Sequence, residues 1–152
     1  MGIRNVYAMV AGAISDIAPK SYAGHTFTPV DIAASGPLEM SARPHGRAFD
    51  VGAAGLPVDD GEAGASDLGT LRLSVEAVLR VAYLNPKGND RRALDVQLAE
   101  DSNSIRTALM TPSNWASASE VVSIEPPGLP IPTQTDDVLI ITTPFRIIYR
   151  EV

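Results

Sequence analysis

The side chains best equipped for chemistry in this sequence are His25 and His45, with Asp31 and Asp50 close to them along the chain. Imidazole and carboxylate together suit many divalent ions, so these four form a candidate metal set. The competing account is that two isolated histidines in loop-rich sequence are solvated or capping groups, and that account is favoured. Between Asp50 and Asp67 stand five carboxylates, Asp50, Asp59, Asp60, Glu62 and Asp67, with no Lys or Arg among them. The run resembles a calcium loop in charge alone, because it lacks the spaced ligands and terminal Glu of an EF-hand. It reads as a solvated acidic loop.

Other chemistries find less support. A hydrolase elbow needs a Gly-x-Ser-x-Gly turn, and the sequence contains none. "GAAG" and "GEAG" are Gly-spaced but lack the Lys-Ser/Thr that completes a phosphate-binding loop. "ARPHGR" (Ala42 to Arg47) and the pair Arg91, Arg92 are local basic clusters, suited to phosphate or an acidic neighbour but most simply read as exposed. Trp115, in "TPSNWASAS", serves either as an interface anchor or as a cap on the chain's own core. With nucleophile, base and cofactor loop all missing, the expectation is a protein that is not an enzyme and carries no cofactor or metal.

Bulk properties narrow the class further. A chain of 152 residues is the size of one domain, 1–152, large enough to bury a real core. It has no cysteine, so neither disulfides nor thiolate metal sites are available. A net charge of -6 and a pI near 4.8 argue against gripping nucleic acid through its phosphates, which needs a basic face. The N-terminal apolar stretch is interrupted by Asn5 and Asp16 and reads as neither a signal peptide nor a membrane span.

Hydrophobic periodicity sets the elements that must position these groups. Ile3, Val6, Val10, Ile14 and Ile17 step by three or four, predicting an amphipathic helix that Pro19 ends. "HTFTPVDI" (His25 to Ile32) and "RAFDVGA" (Arg47 to Ala53) are short extended candidates, and Ala54 to Gly69 reads as a long mobile loop. "TLRLSVEAVLRVAYL", Thr70 to Leu84, alternates almost without fault, predicting a half-buried strand of roughly 50 Å at about 3.3 Å per residue, over twice the ordinary length. Arg72, Glu76 and Arg80 fall on its polar side. They are read either as subunit contacts or as ordinary solvent-facing charges.

Leu94, Leu98, Asp101, Ile105, Ala108 and Leu109 recur at helical spacing, with Asn89 or Asp90 available as a cap. Asp101 is anomalous on that apolar stripe. Either it marks a capped break or kink, or its carboxylate pairs with a basic group across an interface. "VVSIE" (Val121 to Glu125) and "DDVLIITTPFRIIYREV" (Asp136 to Val152) predict two more strands joined by a rigid connector, "PPGLPIPTQT". Pro144 cannot donate to a ladder, so the last strand is expected at an edge or with a bulge. The fold class expected is α+β: a mainly antiparallel sheet, the N-terminal helix and a second helix packed on one face, and a long loop between strands.

This whole-chain layout resembles the tail terminator proteins of long-tailed, siphovirus-like bacteriophages. The resemblance rests on an N-terminal helix, an acidic Gly-rich loop before "LRLSVEAVLRVAYL", the helix "RALDVQLAEDSNSIRTALM", the "PSNW" segment and "DDVLIITTPFRIIYREV". "HTFTPVDIAASGPLEMSARPHG" departs from it. The resemblance implies a structural virion protein at the head-proximal end of the tail, assembled in the host cytoplasm as a homo-oligomer, a hexameric ring. That ring would cap the tail tube, stop its polymerisation and join a head-completion or neck protein, while genomic DNA passes through the lumen without specific binding. It also implies no membrane partner. Within it, Arg72, Glu76, Arg80, Asp101 and Trp115 are expected at subunit interfaces, and Asp59, Asp60, Glu62 and Asp67 in a loop that orders on assembly. The alternatives are another neck protein, head-closure or tail-completion, or a monomeric ligand-binding α+β domain.

Overall fold

Residues 2–17, 27–29, 47–59, 71–84, 91–111, 121–134 and 138–151 are described here from a computed structural model of the chain. The first helix, α1 (Gly2–Ser15), buries Val6, Val10 and Ile14 completely, one residue per turn along a single stripe. Its last turn closes with the Asp16 N–H on the Gly12 carbonyl at 3.0 Å and the Ile17 N–H on that of Ile14 at 3.2 Å, a tightening common at helix ends.

Seven strands form one sheet: β1 (Thr28–Pro29), β2 (Ala48–Ala53), β3 (Val58–Asp59), β4 (Leu71–Leu84), β5 (Val121–Glu125), β6 (Ile131–Gln134) and β7 (Val138–Glu151). The main path runs β1-β2-β4-β7-β5, with β3 also on β4 and β6 also on β7. All pairings are antiparallel except β1 with β2, which is parallel. The expected α+β class, with its mainly antiparallel sheet, is therefore present.

The long alternating segment folds as the expected strand, and its length has an internal cause. β4 and β7 each have fourteen residues and pair over their whole length, from Leu71 opposite Glu151 to Leu84 opposite Val138. On β4's other side β2 and β3 take up Ala77 to Ala82 and Leu73 to Ser74. The strand is thus a central rib whose ladder is used largely within its own sheet, so its backbone is not a wall offered to a neighbouring copy.

One face of the sheet holds the main core, and a smaller buried cluster of Ala48, Ala82 and Val138 lies on the other. Val75, Ala77, Leu79, Val81 and Tyr83 of β4 lie opposite Ile147, Phe145, Thr143, Ile141 and Leu139 of β7. α1 packs on β7, β2 and the second helix, α2 (Arg91–Leu109), and its buried stripe joins Leu94, Ile105, Ala108 and Leu109 of α2 in a single apolar cluster with those strand residues. Each such aliphatic side chain, fully buried, is worth roughly 1.5–3 kcal/mol. That burial fixes the rotation of both helices.

Three expectations about connections change. β7 is an interior strand, not an edge, and Pro144 is accommodated differently: β6 ends opposite Thr142 and β5 ends opposite Arg146, leaving a gap between them. The Pro144 carbonyl points into that gap and accepts the Gly128 N–H at 2.8 Å, so the missing proline N–H faces the same unpaired space. The register shift on β7's ladders lies away from Pro144, on β5 between Val121 and Ser123 opposite Tyr149 and Ile148. The second change is that Ile131–Gln134 of the expected connector is strand β6. The third is that the stretch read as loop contains β3, paired to Ser74 and Leu73. The rest of that stretch beyond Asp59 lies outside the described residues.

Candidate functional site: the charged face of the sheet

Strand registers place the polar positions of β4 in a lattice of charges on the face opposite the helices. Asp50 of β2 lies beside Arg80 of β4, Glu76 of β4 beside Arg146 of β7, Arg146 beside Glu125 of β5, and Arg72 of β4 beside Arg150 of β7. Between the first two rows runs a stripe of small and apolar residues, Gly52, Val78 and Pro144. The face carries one more cation than anion in a chain whose net charge is -6.

The ion pairs on this face differ in strength. Arg80 holds Asp50 with both Nε and Nη2, a two-pronged pair with Nε to Oδ1 at 2.8 Å. Arg146 bridges three strands: Nη2 donates to Ser74 Oγ at 3.0 Å, Nε lies 3.7 Å from Glu76 Oε1 and Nη1 lies 3.8 Å from Glu125 Oε1. The last two are loose pairs between half-exposed side chains, each worth at most about 1 kcal/mol. The ion-paired part of this face is pre-positioned and able to exchange partners at low cost, whereas towards the Leu84 end Ala48, Ala82 and Val138 on the same face are buried.

The sequence-based candidates divide sharply. Arg72, Glu76 and Arg80 do share the charged face, and Glu76 and Arg80 find partners in their own chain. Asp101 is elsewhere. It is 5% exposed on α2 and meets Arg47, itself 3% exposed, through Arg47 Nη2 to Oδ1 at 2.7 Å and Nε to Oδ2 at 3.1 Å. The Tyr83 hydroxyl donates to Oδ2 at 2.9 Å. Asp101 thus pairs with a basic group as one reading held, but that group belongs to the same chain, and the helix passes through Asp101 without a break. Arg47, expected at the exposed end of a basic cluster, is buried.

The surroundings of that pair explain its geometry. The Arg47 guanidinium stacks 4.1 Å from the centre of the Phe27 ring, which meets Phe49 edge-on at 6.3 Å. Arg47 has φ of 59°, a left-handed backbone that costs a non-glycine residue on the order of 1–2 kcal/mol. The backbone N–H to Ala82 O at 2.6 Å and the Thr28 N–H to Arg47 O at 3.1 Å hold it there. Burial pushes the Asp101 carboxyl up, opposed by the Arg47 charge and the Tyr83 hydroxyl. Tyr83 is raised well above its ordinary value, first by burial and then by the Asp101 charge.

Asp59 lies in β3 at the sheet edge, while Asp60, Glu62, Asp67, Trp115, His25, His45 and Asp31 fall outside the described residues. Among the described residues no group of three His, Asp or Glu is placed to hold a metal ion, and no helix is long and apolar enough to cross a membrane. The residues that sequence reasoning missed are Glu125, Arg146 and Arg150, while Asp50, read there as a candidate metal ligand, instead holds Arg80. Arg146 and Arg150 stand among apolar neighbours in β7, a signal that could have placed them on a polar side; which carboxylate each would meet depended on register. The chain matches no protein-family model and no curated protein.

Proposed function

We propose that this protein is a structural subunit of a phage virion, a tail terminator that assembles as a ring on the head-proximal end of the tail tube, ends tube growth and presents a joining surface to the head or neck. The observation that carries the reading is the one-sided architecture. Both helices lie on one face of a long twisted plate, and the opposite face is a lattice of charges across β2, β4, β7 and β5 with an apolar stripe between the rows. A surface of that kind suits docking of another folded protein more than the conversion of a small molecule, since a docking partner can replace weak internal ion pairs by its own. The order α1, β4, α2, β5, β7 also keeps the layout on which the sequence resemblance rests.

Because β4 and β7 direct their ladders at each other, such a ring is built from faces and edges of the sheet and not from strand exchange. Heterologous contacts of this sort close when the rotation between copies closes. Genomic DNA passing through the lumen would meet a subunit with net negative charge and would not be retained. A head-closure or tail-completion protein would be the same physical object with a different partner.

The test is the mass of the purified chain by light scattering at near-physiological salt, alone and mixed with assembled tail tubes, together with electron microscopy of the tube ends. A ring of identical copies, free or on the tube, is the expected result. A chain that stays monomeric under both conditions and leaves tube length unchanged would exclude the reading.

A further inference from the structure

Six large hydrophobic side chains are exposed among the described residues, and four of them sit at two opposite borders of the sheet. Leu56, 86% exposed, and Val58, 56% exposed, belong to the bend after β2 and to β3, on the β2 side of β4. Leu129, 83% exposed, and Ile131, 58% exposed, belong to the β5–β6 connection and the start of β6, on the far side of β7. Leu56 and Val58 lie level with Ser74 to Glu76 of β4, and Leu129 and Ile131 level with Thr142 to Pro144 of β7, so the two patches lie on opposite borders with β4 and β7 between them. Neither can reach the other within one chain.

The second border contains a receptacle. Between α2 and the proline-rich connection is an open cleft of about 270 Å³, walled by Ala99, Ile105, Pro127 and Pro130, with Asn103 and Arg106 on its polar side. Leu129 stands between Gly128 and Pro130, which both line the cleft, though it is not itself a lining residue. The wall is stiff: proline fixes φ, the Gly128 N–H is held by the Pro144 carbonyl, and a Cβ at Gly128 would come to 3.0 Å from Pro144 Cγ. The lining is mixed, since Ser102 and Thr143 join Asn103 and Arg106 beside the apolar groups, and a cleft with a rigid wall loses little entropy when filled.

We propose that this cleft takes Leu56 of a second copy of the chain, joining copies edge to edge and head to tail. Size and charge both favour this occupant. A leucine side chain has four carbon groups, and if each fills roughly the 30 Å³ that a water molecule takes up in the liquid, the side chain needs on the order of 100 Å³, well within the cleft. Leu56 is followed by a stretch carrying Asp59, Asp60, Glu62 and Asp67 with no Lys or Arg, while the cleft presents the exposed Arg106. Neither Glu100 nor Asp101, the carboxylates on this part of α2, lines the cleft. Knob and cleft are different surfaces on opposite borders, which makes the contact heterologous: each copy offers one to its left and the other to its right. The inference rests on the ring reading above and names the contact that would build it.

The absence of cysteine makes the test clean. Leu56→Cys and Asn103→Cys are prepared as separate proteins, mixed, oxidised and run without reductant; a disulfide-linked dimer is expected in the mixture and not in either protein alone. Ala8→Cys, on the exposed side of α1, replaces Asn103→Cys as the control and should give none. Independently, Leu56→Asp and Arg106→Glu should each weaken self-association at least tenfold while the circular dichroism and melting of the monomer stay unchanged. If the parent chain forms rings, yet the mixture gives no cross-link and both charge variants assemble normally, the docking is wrong and the ring stands on other contacts. If the parent chain is monomeric both alone and with tubes, the ring reading fails and this contact fails with it.

Discussion

Two sets of arginine–carboxylate pairs in this molecule use the same chemistry for opposite ends. Arg47–Asp101 is shut away with Tyr83 and Phe27 between the sheet and α2, whereas Arg80–Asp50 and Glu76–Arg146–Glu125 lie on the helix-free face with side chains from 12% to 62% exposed. Burial decides what each can do. In a low-dielectric interior neither partner can be removed without stranding the other, so the pair ties residues fifty-four positions apart into one arrangement. At the surface, water and salt substitute for a lost partner, and the same groups remain available to an incoming protein.

The contrast can be broken most forcefully at Asp101. Asp101→Asn leaves the buried Arg47 cation without its counter-charge and should cost about 3–5 kcal/mol, measured by urea unfolding. The triple variant Arg47→Met, Tyr83→Phe, Asp101→Leu should recover most of that loss, because it removes both charges and the hydroxyl that would lose its acceptor, and keeps apolar volume. Recovery would show that the penalty belongs to the stranded cation and not to the missing pair.

Next in size is Tyr83→Phe, which removes a hydrogen bond to a charged acceptor and should cost roughly 1.5–3 kcal/mol. It also carries a pH signature. Tyr83 in the folded chain titrates well above the ordinary 10.0, so above that pH the unfolded chain gives up its proton first and the folded chain binds more protons. Stability therefore falls as pH rises from 10 through the folded value. Tyr83→Phe should flatten that fall in melts across the alkaline range, leaving the smaller slope due to Tyr7, which burial shifts in the same direction.

On the open face the effects shrink. Asp50→Asn breaks the two-pronged contact with Arg80 and should cost about 1 kcal/mol. Glu76→Gln should change stability by less than about 0.5 kcal/mol and erase part of the salt sensitivity of the melt. If Glu76→Gln proved as damaging as Asp101→Asn, the division between a structural interior pair and an exchangeable surface lattice would be lost.

Much of the fold was legible in the order of residues. The β4 alternation located a strand to within one residue, and the i, i+4 stripe of Val6, Val10 and Ile14 gave α1. Leu94, Ile105, Ala108 and Leu109 gave α2 and the side it buries. The error over Pro144 is instructive, because the constraint was read correctly. A residue without an N–H needs an unpaired position, and an edge strand is the usual way to supply one; here two short strands, β6 and β5, stop on either side of it instead. The site was half legible. Arg72, Glu76 and Arg80 were assigned to one face by alternation, but Asp50 and Arg146 could be joined to them only once the register was known.

What the sequence determined by itself is local: the type and extent of each long element, the sidedness of each strand and helix, and a stability that relies on packing in a chain without cysteine. These follow from periodicities of about two and 3.6 residues, which consecutive side chains express without reference to the rest of the molecule. Only the tertiary structure decided that β4 pairs along its length with β7, that Asp101 answers to Arg47 and not to another copy, and that Leu56 and the α2 cleft fall at opposite borders. Those outcomes depend on strand order and register, and a register is chosen by the whole set of long-range contacts that close together.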